Sequence, residues 1–231
     1  MKMQGLTKDT DGFISKHINR KFSTKISLFL VNSGAKISPT GMTVISFFIS
    51  ILSAVLFCLD KPLLGGLAAQ LSSILDGCDG EIARLTNSAS KKGEILDSIL
   101  DRLGDGAIIM GITVLAYEYS HLWKDFLPGI DFRVLIIILG FLALMGSFNI
   151  SYSASKLKES AGLEYRRIWA GRDIRLFLTM MAGIFAEFLP KSLLLFLLLM
   201  ILLTFYELAY RLHKLDYVEE LVKRGEKKLV T

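Results

Sequence analysis

The chain has 231 residues, 52% of them hydrophobic, with 4 prolines and a formal net charge of +5. Apolar stretches separated by basic loops exclude a pair of soluble domains, and no nucleic-acid module is visible; the positive charge is left to meet an anionic membrane surface or anionic substrates. The 2 cysteines, Cys58 and Cys78, fall inside apolar segments, which suggests neither a disulfide framework nor a thiolate metal site.

Residues 1–38 are polar and basic and lack the apolar stretch and small-residue cleavage site of a signal peptide, so they are expected to be retained. Within them, residues 11–31 place Phe13, Ile14, Ile18, Phe22, Ile26, Phe29 and Leu30 at helical spacing, with Lys16, Arg20, Lys21 and Lys25 mostly between. This fits an amphipathic helix lying in the membrane interface; a solvated basic helix packed on other loops fits nearly as well. Asn32, Ser33 and Gly34 end it, and Ser38-Pro39 reads as a cap followed by a proline in the first turn.

From Pro39 to Leu59 run 21 residues without a charge, enough to cross a hydrocarbon core of about 30 Å. A second helix starting at Pro62 has only 14 uncharged residues before Asp76, so it must continue to about Leu85 to span. Residues 87–92 make a turn, and a third helix runs from Gly93 to about Tyr119. A loop with an interfacial Trp123 leads to a fourth span, Val134 to Ser155. Arg166 and Arg167 lie in the linker before a fifth span that starts with Arg172 and ends near Leu189. A sixth, from Ser192 to Tyr210, completes an all-α integral membrane bundle. The expected organisation is residues 1–38 with the amphipathic helix, a six-helix transmembrane domain over 39–210, and a charged, solvated tail over 211–231.

The second and third helices carry the chemistry. Asp76 lies roughly 10 Å short of the far side of the core, a depth at which ionisable groups mark a cavity or substrate path. Asp76 and Asp79 are spaced i, i+3 and Asp97 and Asp101 i, i+4, so each helix projects two carboxylates from one face. In an antiparallel hairpin Asp76 comes level with Asp101, Asp79 with Asp97, and Arg84 with Gly93. Four carboxylates that close cannot all ionise in a low-dielectric setting without a cation among them, and an all-oxygen ligand set favours Mg²⁺, Mn²⁺ or Ca²⁺ over Zn²⁺. Gly80 and Gly93 leave space for a ligand or a neighbouring backbone. Arg102 and Asp105, i, i+3 apart, read as a local ion pair.

The residues Asp76, Asp79, Gly80, Ala83, Arg84, Gly93, Asp97 and Asp101 match D-x2-D-G-x2-A-R-x8-G-x3-D-x3-D at every fixed position, and in this the chain resembles the CDP-alcohol phosphotransferases. The resemblance implies transfer of a substituted phosphate from a CDP-alcohol donor to an acceptor hydroxyl, with release of CMP. It implies Asp76, Asp79, Asp97 and Asp101 as ligands of two Mg²⁺ or Mn²⁺ ions, Asp101 doubling as the general base, and Gly80, Ala83, Arg84 and Gly93 shaping the nucleotide site. SPTGMT resembles the family's Ser/Thr-Pro-Asn-x-x-Thr at Ser38, Pro39 and Thr43 but has Thr40 in place of Asn. TDGFISKHINRK near the start and GRDIRLF at the fifth helix resemble an archaeal branch that uses CDP-inositol and inositol phosphate.

Lys156, Arg172 and Arg175 are the candidates for binding an acceptor phosphate, since guanidinium forks match phosphate oxygens; positive-inside anchoring accounts for part of this cluster. The alternatives are a phospholipid synthase moving a phosphatidyl or archaetidyl group to inositol phosphate or glycerol phosphate, and, from another class, a divalent-cation transporter. Of the 27 Lys and Arg, 22 fall on the side of the termini and the acidic turn and 4 on the other, so both termini and the active site are expected to face the cytoplasm. Gly104, Gly106 and Gly111 permit close helix packing, and a homodimer in the membrane is expected.

Overall fold

The computed structural model describes residues 12–34, 37–124, 129–165, 170–224 and 229–230, and is almost entirely helical. A π-helical turn, Ser15–Asn19, runs into α1 (Arg20–Asn32). Six longer helices follow: α2 (Pro39–Cys58), α3 (Pro62–Leu85), α4 (Lys91–Glu118), α5 (Phe132–Ala161), α6 (Arg172–Phe188) and α7 (Ser192–His213). A short α8 (Leu215–Lys223) leads towards β2 (Leu229–Val230), which pairs in parallel with β1 (Glu164–Tyr165) from the α5–α6 linker. The linker arginines Arg166 and Arg167 lie outside the described residues.

The boundaries follow local chemistry. Ser38 caps α2 by accepting from Gly41 N at 3.0 Å, with Pro39 in the first turn; Asp131 caps α5 through Arg133 N at 2.9 Å; and α5 ends where Gly162 turns left-handed at φ 65°. α5 continues past Ser155, so Lys156 and Lys158 sit on its last turns rather than in a loop. Lys158 bonds Glu94 at 2.9 Å, joining the end of α5 to the start of α4.

By length and composition three helices among the described residues, α2, α5 and α7, are apolar enough to cross a membrane. α3, α4 and α6 are interrupted by the charges of the site, yet each also exposes apolar side chains: Leu64, Leu67 and Leu71 on α3, Ile95, Ile99, Leu103, Met110 and Val114 on α4, and Phe185 and Phe188 on α6. The bundle has two halves. In one, Phe57, Ile108, Ile112, Leu115, Ile136, Leu193 and Leu197 form an apolar core. In the other, where α3 ends and α4 and α6 begin, buried polar and charged groups, among them Glu81, Asp105, Asp173 and Arg175, stand beside a small apolar cluster of Met42, Cys78 and Ile82.

The expected hairpin is looser than its symmetry suggested. α2 packs along both α3 and α4, whereas α3 and α4 do not pack closely on each other, so their acidic faces border a gap. Glycines set the other contacts: a Cβ on Gly111 would come within 2.7 Å of Ala54 O on α2, one on Gly104 within 2.9 Å of Ser50, and one on Gly66 within 2.8 Å of Met180 O on α6. Gly106 faces Phe148 of α5. Gly104, Gly106 and Gly111 are therefore used inside the chain and lend no support to an interface between copies.

α1 turns a polar stripe inward, with Ser23, Thr24 and Ser27 buried, while Phe13 and Phe22 before and within it and Phe29 near its end face outward. The tail is more than a solvated end. Val218 and Leu221 of α8 pack with Leu157, Leu163, Tyr165 and Val230 in a small cluster beside the linker.

Candidate active site

Five carboxylates and three guanidiniums meet in the polar half. One oxygen from each of Asp76, Asp97 and Asp101 lies within 4.8 Å of the others, bringing acids of α3 and α4 together across the gap. Asp79 lies beside Asp97 but is engaged on both oxygens, accepting from Thr43 Oγ1 at 2.6 Å and from the Gly80 amide. Thr43 comes from the start of α2, so the S-P-x-x-x-T stretch folds onto the acidic motif.

Arg172 reaches into the cluster from the first turn of α6. Its Nη1 is 2.8 Å from Asp76, Nη2 3.2 Å from Asp101 and Nε 2.9 Å from Asp105. Arg175, one turn on, places Nη2 2.7 Å from the other oxygen of Asp105 and donates through Nη1 to Ala170 O at 2.8 Å. The expected Arg102–Asp105 pair gives way to this arrangement. Arg102 instead stands 3.6 Å from Asp101, with about a third of its side chain exposed, while buried Asp105 takes two planar forks from α6. Two charge-assisted contacts in a dry site outcompete one at a wet edge.

The cluster fits a divalent cation. Asp97 Oδ1 is buried with no hydrogen-bond partner among the described residues, and the donors at Asp76, Asp97 and Asp101 are all carboxylate oxygens.

Asp79 and Asp97, with Gly80 and Arg84, form a wall shared by two cavities. One, of about 520 Å³, is lined by Gly80, Ala83, Arg84 and Gly93, the four expected nucleotide residues, with Thr40, Ser88 and Lys91. Its floor depends on a cap: Ser90 Oγ accepts from Gly93 N at 3.1 Å, and a Cβ on Gly93 would come within 3.1 Å of that hydroxyl. The other cavity, of about 220 Å³, holds Asp76, Asp101, Arg172, Arg175 and three side chains that sequence reasoning missed, Arg20, Tyr165 and Arg211. Lys156 lines neither cavity; it is exposed and bonds Glu159 at 3.0 Å.

Arg211, from the end of α7, donates through Nη1 to Ile150 O at 2.6 Å and Ser153 Oγ at 2.7 Å, and its guanidinium lies 4.6 Å over the Tyr165 ring. Burial pushes the Tyr165 phenol up, and the adjacent Arg211 opposes this. On the far face of α3, fully buried Glu81 accepts from Arg20 at 2.7 Å, Ser23 at 2.8 Å, Thr24 at 3.1 Å and Ser27 at 2.7 Å. α1 is thereby fixed as the third wall of the smaller cavity.

The comparisons agree with this geometry. The family model of the CDP-alcohol phosphatidyltransferases matches residues 36–212. The bifunctional IPC transferase and DIPP synthase of Thermococcus kodakarensis is 39% identical over 182 residues, 74% of this chain and 37% of that protein. Its namesake from Archaeoglobus fulgidus is 41% identical over 179 residues, 74% of this chain and 32% of that protein. The chain thus spans about a third of the length of these relatives. The archaetidylinositol phosphate synthase of Pyrococcus horikoshii is 34% identical over 117 residues, 51% of this chain and 53% of that protein. Among solved structures, the phosphatidylinositol phosphate synthase of Mycobacterium tuberculosis in complex with manganese and citrate superposes with TM-score 0.65 at 25% identity, covering 83% of this chain and 88% of that one. With the family model matching from the start of α2 to the end of α7, over the same helices that build the acid wall and both cavities, this chain belongs to the CDP-alcohol phosphatidyltransferase family.

Proposed function

We propose that the chain transfers a substituted phosphate from a CDP-alcohol to the hydroxyl of a phosphorylated polyol, with CDP-inositol as donor, inositol phosphate as acceptor and CMP as the second product. The observation that carries this reading is the carboxylate wall with a cavity of different chemistry on each side. The larger cavity, with Gly80, Ala83, Arg84 and Gly93, suits the cytidine nucleotide; the smaller, with Arg172 and Arg211 and with Arg175 held behind them by Asp105, suits an acceptor that itself bears a phosphate. The names of the Thermococcus and Archaeoglobus relatives support the same substrates.

In the reaction the acceptor hydroxyl attacks the phosphorus that carries the donor alcohol. The bridging P–O bond breaks, CMP leaves with the bond's electrons, and the hydroxyl proton passes to Asp101. Asp76, Asp97 and Asp101, with Asp79 as fourth ligand, would hold the two Mg²⁺ or Mn²⁺ ions. Bound there, the metal neutralises charge developing on the leaving phosphate. The protein's part is to hold the two substrates on opposite faces of one wall, which turns an encounter in solution into a positioned reaction.

The membrane placement belongs to this proposal. Six crossings by α2–α7, with α1 in the interface and both termini and the site in the cytoplasm, are supported by the outward apolar side chains on all six helices and the 22 to 4 charge asymmetry. The outer apolar faces are the surface that would serve a homodimer, Gly104, Gly106 and Gly111 being packed within the chain.

A donor-by-acceptor screen of the purified protein, read as CMP release, tests the function. CMP release from CDP-inositol that requires inositol phosphate is the expected result. Release only from a CDP-linked lipid would give the reaction to phospholipid synthesis, the reading favoured by the Pyrococcus relative's name. No release from any donor would overturn both.

A further inference from the structure

Asp173 follows Arg172 in the first turn of α6, lines the smaller cavity and is only 5% exposed. Its two oxygens differ. Oδ2 accepts from Ser15 N at 2.8 Å, tying the N-terminal helical segment to α6, and Gly12 packs directly on the carboxyl group. Oδ1 is buried with no hydrogen-bond partner among the described residues. A structural tie explains one oxygen only, and an unpaired carboxylate oxygen at such depth is costly unless something else donates to it. The same cavity is lined by the neutral polar side chains Ser15, Asn19, Ser73 and Ser151 as well as by arginines. The cavity therefore offers both guanidiniums, which suit an anion, and an acceptor-only oxygen with hydroxyls and an amide, which suit neutral polar groups.

Resting on the reading of this cavity as the acceptor side, we propose that Asp173 recognises the hydroxyls of the acceptor: Oδ1 takes a hydrogen bond from an O–H of a polyol whose phosphate lies against the arginines. A carboxylate accepts from a hydroxyl and repels a second anion, so the residue selects an acceptor with its charge at one end and free hydroxyls at the other. It disfavours both a short alcohol phosphate that cannot reach Oδ1 and a polyol bearing a second phosphate there.

The test is Asp173→Asn, which keeps one oxygen for the Ser15 amide and replaces the other with a donor. With inositol phosphate the acceptor KM should rise about 10- to 100-fold while the donor KM stays unchanged, and with glycerol phosphate the rise should be several-fold smaller. A second measurement leaves the protein unaltered. In a series of mono-deoxy inositol phosphates, one analogue should lose about 10-fold or more in kcat/KM, and an inositol bisphosphate should fail to compete at concentrations where the monophosphate saturates. Equal KM rises for both acceptors, an unchanged acceptor KM, or a flat deoxy series overturns the assignment while leaving the proposed function standing. Absence of CMP release with every polyol phosphate overturns both.

Discussion

Arg172 Nε lies 2.9 Å from Asp105 Oδ1, and this contact, one helical turn beyond Asp101, holds the guanidinium so that its two terminal nitrogens face Asp76 and Asp101. Asp105 stands outside the eight motif residues, yet it positions the cation that faces two of them. Asp105→Asn should cost about 3–5 kcal/mol, because it leaves Arg175 buried with its ion pair removed. Thermal unfolding in detergent measures this loss; an unchanged midpoint would show that the pair contributes nothing.

Arg172 and Arg175 should separate. Both nitrogens of Arg175 with described contacts are bound to Asp105 and Ala170, so Arg175→Ala should act chiefly on stability. Arg172→Ala should raise the acceptor KM about 10- to 150-fold, with Lys recovering only part. Steady-state kinetics with varied donor and acceptor distinguish the two; matching KM effects would place both on the acceptor.

Chelation should abolish CMP release, and Mg²⁺ or Mn²⁺ should restore it. Asp97→Asn should lower kcat about 10²- to 10³-fold or more while the protein stays monodisperse, since Asp97 Oδ1 has no partner among the described residues to lose. Full turnover in excess chelator would sink the metal assignment.

Tyr165 supports Arg211 by its ring rather than its hydroxyl. Tyr165→Phe should leave the acceptor KM and its pH profile unchanged, and Tyr165→Leu should raise that KM about 2- to 30-fold, the range of a partly desolvated cation–π contact. A phenylalanine variant as impaired as the leucine one would transfer the role to the hydroxyl.

Orientation is open to direct labelling. A cysteine at Ser90, in a chain lacking Cys58 and Cys78, should react with an impermeant thiol reagent only from the cytoplasmic side. Labelling from outside intact cells would reverse the topology.

Much of the site was legible because helical spacing reports which residues share a face. The i, i+3 and i, i+4 aspartates and the level pairing of Asp79 with Asp97 survive in the structure. The same rule applied further would have found Asp105, which follows Asp97 and Asp101 at the same interval and lies on their face. Glu81 was also within reach: it is about 200° around α3 from Asp79, so a buried acid there needs a partner from another element. That the partner is the Ser23–Thr24–Ser27 stripe could not be read, because sequence periodicity marks apolar faces and this helix buries a polar one. Tyr165 and Arg211 were illegible for a different reason, since cation–π contacts between a linker and the last long helix have no fixed separation along the chain.

The crossing of α3 and α6 at Gly66 and Gly183 bears on how the site could move. No side chain separates the helices there, and Arg172 and Asp76 stand ten or so residues from the contact, about 15 Å along each helix axis, so any tilt about it would be magnified at the site. A tilt of about 5° at this crossing would swing the start of α6 by about 1.3 Å, enough to break the 2.8 Å contact between Arg172 and Asp76. Hinged at the glycine crossing, a rigid α6 would be sufficient to open the carboxylate cluster.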